Sequence, residues 1–268
     1  MSKTFRTIST DNLEISYTKY GEGKDLILFV HGWSCDQTYW KNQIEFFKKN
    51  FQVVALDLGG HGNSGTDRKN WTISSFGDDV VSVVNQFKYA SLFLVGHSMG
   101  GMVVLDAASK LDNKSITLFL VDQIQNKYWP VPEERVQNFL KPFRENFKNH
   151  TKEWVKTADN FVEGSDPQLI EWISSDMSNA PPEIAIPSMH DVKTRNFDET
   201  IAQLKKRNIS MTLINNKESK EKDKLELIEL GFRIEIIPKV GHFIMLEKSQ
   251  EFNQKLFELI KSKYLAPR

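Results

Sequence analysis

The sequence predicts an α/β fold, a sheet with crossover helices into which one large helical insertion is set. Three observations lead there. Short apolar runs alternate with helix-period segments over most of the chain, the pattern of strands joined by crossover helices. The pentapeptide Gly96-His97-Ser98-Met99-Gly100 has the apolar run Leu92-Phe93-Leu94-Val95 directly before it and the helix-forming Met102-Val103-Val104-Leu105 after it. That is a strand entering a sharp turn that opens a helix. Finally, the alternation stops over residues 123–195, a span too long for a structureless loop inside a compact domain.

Taken in order, residues 5–9 and 14–20 read as an antiparallel hairpin turning at Asp11-Asn12. Residues 26–30 are a buried strand ending at His31-Gly32-Trp33, and 39–47 a helix. Residues 53–56 form the next strand, followed by a glycine-rich loop over 57–65. A helix covers 73–87, with Ser74 or Ser75 near its start, and strand 92–95 leads into the serine turn. Strand 116–121 ends at Asp122. Residues 123–195 are rich in Trp, Pro and charge (Trp129, Trp154, Trp172, Pro181, Pro182, Pro187), with helices expected over 133–147 and 152–161 and no strands. Strands return at 209–214 and 232–237, and amphipathic helices fill 197–206, 222–230 and 249–264. The charge-dense run 217–224 is a solvated loop and helix start. The domain division is therefore a core of 1–122 and 196–268 and a cap of 123–195. The cap's aromatic residues pack a lid onto the sheet and together imply an apolar pocket.

Composition narrows the function classes. Lys plus Arg and Asp plus Glu number 35 each, which gives no electrostatic footprint for nucleic acid or an anionic membrane. The single cysteine, Cys35, excludes an internal disulfide framework and a cysteine zinc site, and fits a reducing compartment. The N-terminus is too polar for a signal peptide, and no apolar stretch approaches the ~20 residues of a membrane span. The expectation is a cytoplasmic protein that needs neither metal nor cofactor and acts on a small molecule.

A serine hydroxyl is a weak nucleophile until a base takes its proton. Of six histidines, His31 and His97 sit in turn motifs, His61 in the glycine-rich loop, and His150 and His190 in the cap region. His242 follows a late strand, in Gly241-His242-Phe243, where a loop opens on the same sheet edge as Ser98, and it is the expected base. The base needs an acid to fix its tautomer. Asp122, at the end of a buried strand, and Glu218, in the loop after 209–214, are the two candidates. The oxyanion donors are the backbone N–H groups of Met99, at the helix start, and Trp33, in the loop after Val30. His31 is a buried structural side chain. The 57–65 loop lacks the lysine and spacing of a phosphate-binding loop, so nucleotide binding is not expected.

Four motifs in order, His31-Gly32-Trp33, Gly60-His61-Gly62-Asn63-Ser64, Gly96-His97-Ser98-Met99-Gly100-Gly101 and Gly241-His242-Phe243, make the chain similar to the α/β-hydrolase family over nearly its whole length. The resemblance implies an eight-stranded, mostly parallel sheet with helices on both faces, a helical cap, and no cofactor for the family's esterases. It also implies the order nucleophile, acid, histidine, which Ser98, Asp122 and His242 satisfy. Two departures stand out. Gly59 occupies the place where the family commonly has an arginine, and no aspartate follows Ile214, the family's commonest acid position. A subset of the family carries the acid after the preceding strand, as Asp122 would. That subset includes cofactor-free dioxygenases that use the histidine–acid pair as a base toward a hydroxy-heteroaromatic. The reading is a serine hydrolase of carboxylic esters. The alternatives are such a dioxygenase, with Ser98 only orienting substrate, and a ligand-sensing protein on a hydrolase scaffold.

Overall fold

The computed structural model describes residues 3–112, 115–124 and 130–265. Strands β1 (Lys3–Ile8) and β2 (Glu14–Tyr20) form the expected antiparallel hairpin. Asn12 takes the left-handed backbone at its tip (φ 69), a conformation its short polar side chain tolerates. There follow β3 (Leu26–Val30), a 3-10 turn (Gln37–Trp40), α1 (Lys41–Phe47), β4 (Gln52–Leu56), α2 (Ile73–Val84) and β5 (Leu92–His97). Then come α3 (Met99–Lys110) and β6 (Ile116–Val121). Helices α4 (Glu133–Glu145), α5 (Phe147–Val155), α6 (Pro167–Met177) and α7 (Pro182–Thr194) make up the excursion after β6. The chain closes with α8 (Asp198–Lys206), β7 (Ser210–Asn215), α9 (Glu221–Glu229), β8 (Phe232–Ile236), α10 (Ile244–Glu247) and α11 (Ser249–Leu265).

The described strands build one eight-stranded sheet in the order β1-β2-β4-β3-β5-β6-β7-β8. It is parallel from β4 onward and antiparallel where β2 meets β1 and β4. Every residue of β3, β5 and β6 is buried, which is why those strands read as unbroken apolar runs rather than alternating ones. Helices α2, α3 and α8 pack together on one face, α1 and α11 on the other. Crossovers of one hand bring the ends of β3, β5, β6 and the β8–α10 loop to the same edge of the sheet.

Several local expectations are corrected. Helix α2 has Ser74 and Ser75 near its start, as expected, but ends at Val84; its cap is Thr72, whose hydroxyl accepts the Ser75 N–H while Ser75 Oγ accepts the Thr72 N–H. The helix expected over 39–47 is split, its first turn being the tighter 3-10 form. The helix expected over 152–161 is α5: Asn146 accepts the Asn149 N–H and starts it earlier, and it ends at Val155. Helices α6 and α7 begin on Pro167 and Pro182, where a missing N–H costs nothing. Trp129 lies outside the described residues.

The departure at Gly59 has a structural counterpart. Arg68 lays its guanidinium across Asp79 and Asp11, and a Cβ placed on Gly59 would run into Arg68 Nη1 and Asp79 Oδ2. Asp79 also accepts the Gly59 N–H at 3.0 Å and the Ser9 hydroxyl at 2.7 Å. A cation supplied from nine residues downstream therefore fills the space beside the loop.

Candidate active site

Strand β5 ends at His97 and α3 begins at Met99, so Ser98 alone carries the reversal, at φ 51 and ψ −120. Such a backbone is costly for a residue with a Cβ and persists only where the surroundings over-determine it. Here they do. The Ser98 N–H donates to Val121 O and the Gly101 N–H to Ser98 O, each at 2.9 Å. Close packing fixes the rest, because a Cβ on Gly100 would collide with the carbonyls of Val30 and His31. Ser98 is left half-buried.

Asp122 is the residue after β6. Its N–H donates to Ile214 O (2.9 Å), and it also adopts a left-handed backbone, φ 45. Its carboxylate is 2% exposed and accepts the His242 Nδ1–H on Oδ2 at 2.6 Å, with the Asn216 N–H on Oδ1 at 3.2 Å. Burial alone would push this carboxyl up. The hydrogen bond from His242, the charge of that imidazole and the Asn216 N–H outweigh it and hold Asp122 below its ordinary value. Glu218, the other candidate acid, is exposed. The position at the end of β7 is held by Asn215, fully buried, whose Nδ2 donates to Ile124 O at 2.9 Å.

His242 keeps 22% of its side chain exposed. With Nδ1–H committed to Asp122, Nε2 is the nitrogen left to accept a proton. A hydrogen bond from Ser98 Oγ to that nitrogen is not among those of the described residues. The ring of His97, immediately before Ser98, lies 4.6 Å from the ring of His242, and His97 Nε2–H donates to the His242 carbonyl at 2.9 Å. Burial, and then the charge of His242, push His97 down to about 3, so it serves as a neutral strut. Sequence reasoning assigned His97 only to the turn motif. Nothing but its place beside Ser98 pointed to this bond.

Trp33 and Met99 stand on the two backbone segments that flank the serine. A Cβ on Gly32 would come within 3.4 Å of Ser98 Cβ, so the chain entering Trp33 passes directly beside it. Met99 is the first residue of α3, where backbone N–H groups have no partner within the helix. The Trp33 indole is buried, donates Nε1–H to Ala185 O in α7 at 2.7 Å, and meets Phe143, Phe147 and Trp154 edge-on. Thus the aromatic residues of 123–195 pack the excursion onto the core. Two further ties join them: Tyr39 Oη donates to Asp176 (2.8 Å), and the Ile73 N–H to Asp191 (2.7 Å).

The other histidines have structural partners. His31 is buried between Gly32 O (2.8 Å) and the Leu58 N–H (3.0 Å), and burial takes it down to about 4. His61 bonds Gly59 O, His190 pairs with Glu133, and the ring of His150 stands on Phe143. Among the described residues there is no cluster of ligating side chains able to hold a metal ion. No helix there is long and apolar enough to cross a membrane.

Residues 27–255 match the family described as the alpha/beta hydrolase family. An Acinetobacter baylyi protein named (E)-2-((N-methylformamido)methylene)succinate hydrolase is 32% identical over 103 residues, 38% of each chain. The Karrikin insensitive 2 receptor CA of Petunia hybrida is 25% identical over 178 residues, 62% of this chain and 64% of that one. The chain therefore spans only part of the length of these curated relatives. A thermophilic esterase from Thermogutta terrifontis superposes with a TM-score of 0.80 at 21% identity, covering 97% of this chain and 98% of the esterase, a likeness of fold.

Proposed function

The chain belongs to the alpha/beta hydrolase family, and from that premise we propose that it is a serine hydrolase. It cleaves the carboxylic ester of a small, largely apolar molecule through an acyl-enzyme. The observation that carries this reading is the 2.6 Å bond from His242 Nδ1 to a buried Asp122, at the sheet edge where Ser98 stands on a strained turn. Ser98 Oγ attacks the acyl carbon while its proton passes to His242 Nε2. The N–H groups of Trp33 and Met99 meet the charge that develops on the carbonyl oxygen. Collapse of the tetrahedral intermediate returns the proton from His242 to the departing alcohol. Water then repeats the sequence on the acyl-enzyme, releasing the carboxylic acid and free Ser98. Asp122 fixes the imidazole tautomer and offsets the imidazolium charge. The Ser98–His242 bond closes as substrate binds, since such contacts often tighten only in the complex. Residues 123–195 act as the cap over this edge. A lone buried thiol suits work in the cytoplasm.

Treatment with a fluorophosphonate, read by intact mass, tests this. One adduct is expected on the wild-type protein and none on Ser98→Ala. An unlabelled wild type, or an adduct that survives Ser98→Ala, overturns the reading. The likeness to a protein named as a receptor favours one second reading, ligand sensing on the same scaffold. Sustained turnover of small esters separates the two, because a sensor stops after at most one acylation.

A further inference from the structure

We propose that Glu247 is a positioning residue for His242, acting with Ser165 and Asn160 of the β6–β7 excursion. The catalytic imidazole is then in line with Ser98 only while the excursion is docked. This rests on the reading of His242 as the base.

Gly241 and His242 lie between β8 and α10, and their two consecutive N–H groups are both claimed from outside the sheet. The His242 N–H donates to the Asn160 carbonyl at 2.7 Å, directly into the excursion. The Gly241 N–H donates to Glu247 Oε1 at 3.0 Å, and Glu247 Oε2 accepts the Ser165 hydroxyl at 2.6 Å, reaching the excursion through one carboxylate. Asn160 is itself anchored, its Nδ2 donating to Trp154 O at the end of α5 (3.1 Å). Phe161 stacks on Phe243 at 5.5 Å and 22°. The seam admits no side chain at 241, where a Cβ would strike the Asn160 carbonyl, Phe161 Cα and Glu247 Oε1.

The core holds the opposite end of the same residue, through His97 Nε2–H on the His242 carbonyl. His242 is therefore suspended between two bodies: its N–H belongs to the excursion and its C=O to the core. Among the described residues no cation pairs with Glu247, and Lys248 is turned to Pro238 O and Glu251. Both Glu247 oxygens thus accept from the clamp rather than from a salt bridge. A displacement of the imidazole by about 1 Å costs on the order of a hundredfold in rate.

The test compares Glu247→Ala, Ser165→Ala and Glu247→Gln with wild type. The readouts are kcat and KM on an activated ester, the fluorophosphonate labelling rate of Ser98, and thermal melting. Glu247→Ala is expected to lower kcat and labelling rate together by about 10- to 100-fold with KM nearly unchanged. Ser165→Ala lowers both by less. Glu247→Gln still accepts from Gly241 and still reaches Ser165, and it restores most of the rate. A purely structural role would lower the melting temperature and leave kcat per folded molecule intact. Wild-type kcat and labelling in folded Ser165→Ala and Glu247→Ala overturn the inference. If Glu247→Ala does not fold, Ser165→Ala decides alone. A wild-type protein that is not labelled at Ser98 sinks the hydrolase reading, and this inference with it.

Discussion

The corner around Ser98 and the helical excursion over Trp33 are held together by different forces. At the corner each link is one hydrogen bond between groups at the sheet edge: Asp122 to His242, His97 to His242, Val121 to the Ser98 N–H. In the excursion, hydrogen bonds such as Trp33 Nε1–H to Ala185 O are joined by an extensive set of ring contacts. Trp33 meets Phe143, Phe147 and Trp154 at centroid separations of 5.8, 5.9 and 5.8 Å. Ring contacts accommodate small shifts with little loss, whereas a hydrogen bond weakens steeply with angle and distance. The corner is therefore sensitive to the exchange of a single atom, and the excursion to the removal of volume.

Asp122→Asn should separate the two most widely. It preserves shape but presents an amide to His242, favouring the wrong tautomer, and ester turnover is expected to fall by about 10⁴ in kcat. Melting should move little. A variant that loses stability while keeping its turnover would erase the distinction. Phe143→Ala works on the other side. Emptying a fully buried ring site should cost about 3–5 kcal/mol of unfolding free energy in denaturant titration, against about 1 kcal/mol for the closer-volume Phe143→Leu. Equal losses for the two would show that volume is not what the excursion needs.

The last test is pH, and it sharpens the contrast from the core side. His31, His61 and His97 are held near 4, 3 and 3 by burial, against an ordinary 6.5. Between pH 6.5 and about 4 the unfolded chain binds protons there that the folded chain refuses. Stability consequently rises with pH in that window and falls on acidification. The melting temperature should drop from pH 6.5 toward 4, with a shallower slope in His61→Asn. A flat profile would mean that these rings are not neutral struts.

These differences explain what could be read in advance. The core strands, the serine turn and His242 were legible because each is written locally: an unbroken apolar run, glycines beside Ser98, a glycine before the histidine. The choice between Asp122 and Glu218 was not, since it depends on which of two strand ends faces the imidazole. The excursion was harder still. Helices α6 and α7, which open on Pro167 and Pro182, were not anticipated, and Asn146 starts a helix that periodicity placed later. Arg68 and Glu247 left no signal, because each works through partners remote in sequence, Asp79 and Asp11 for one and Ser165 for the other. Long-range pairing of that kind has no sequence period.

The positive φ of Asp122 also limits which residues can replace it. Few side chains settle in that backbone, and aspartate and asparagine are foremost among them. The set of replacements this position accepts is accordingly short, and asparagine is a single base change away. It would keep the turn and the packing while withdrawing the carboxylate charge that His242 Nδ1 meets. On the proposed hydrolase reading, a folded, inert descendant is an immediate neighbour of the active protein, and the passage from catalyst to binder needs no rebuilding of the fold.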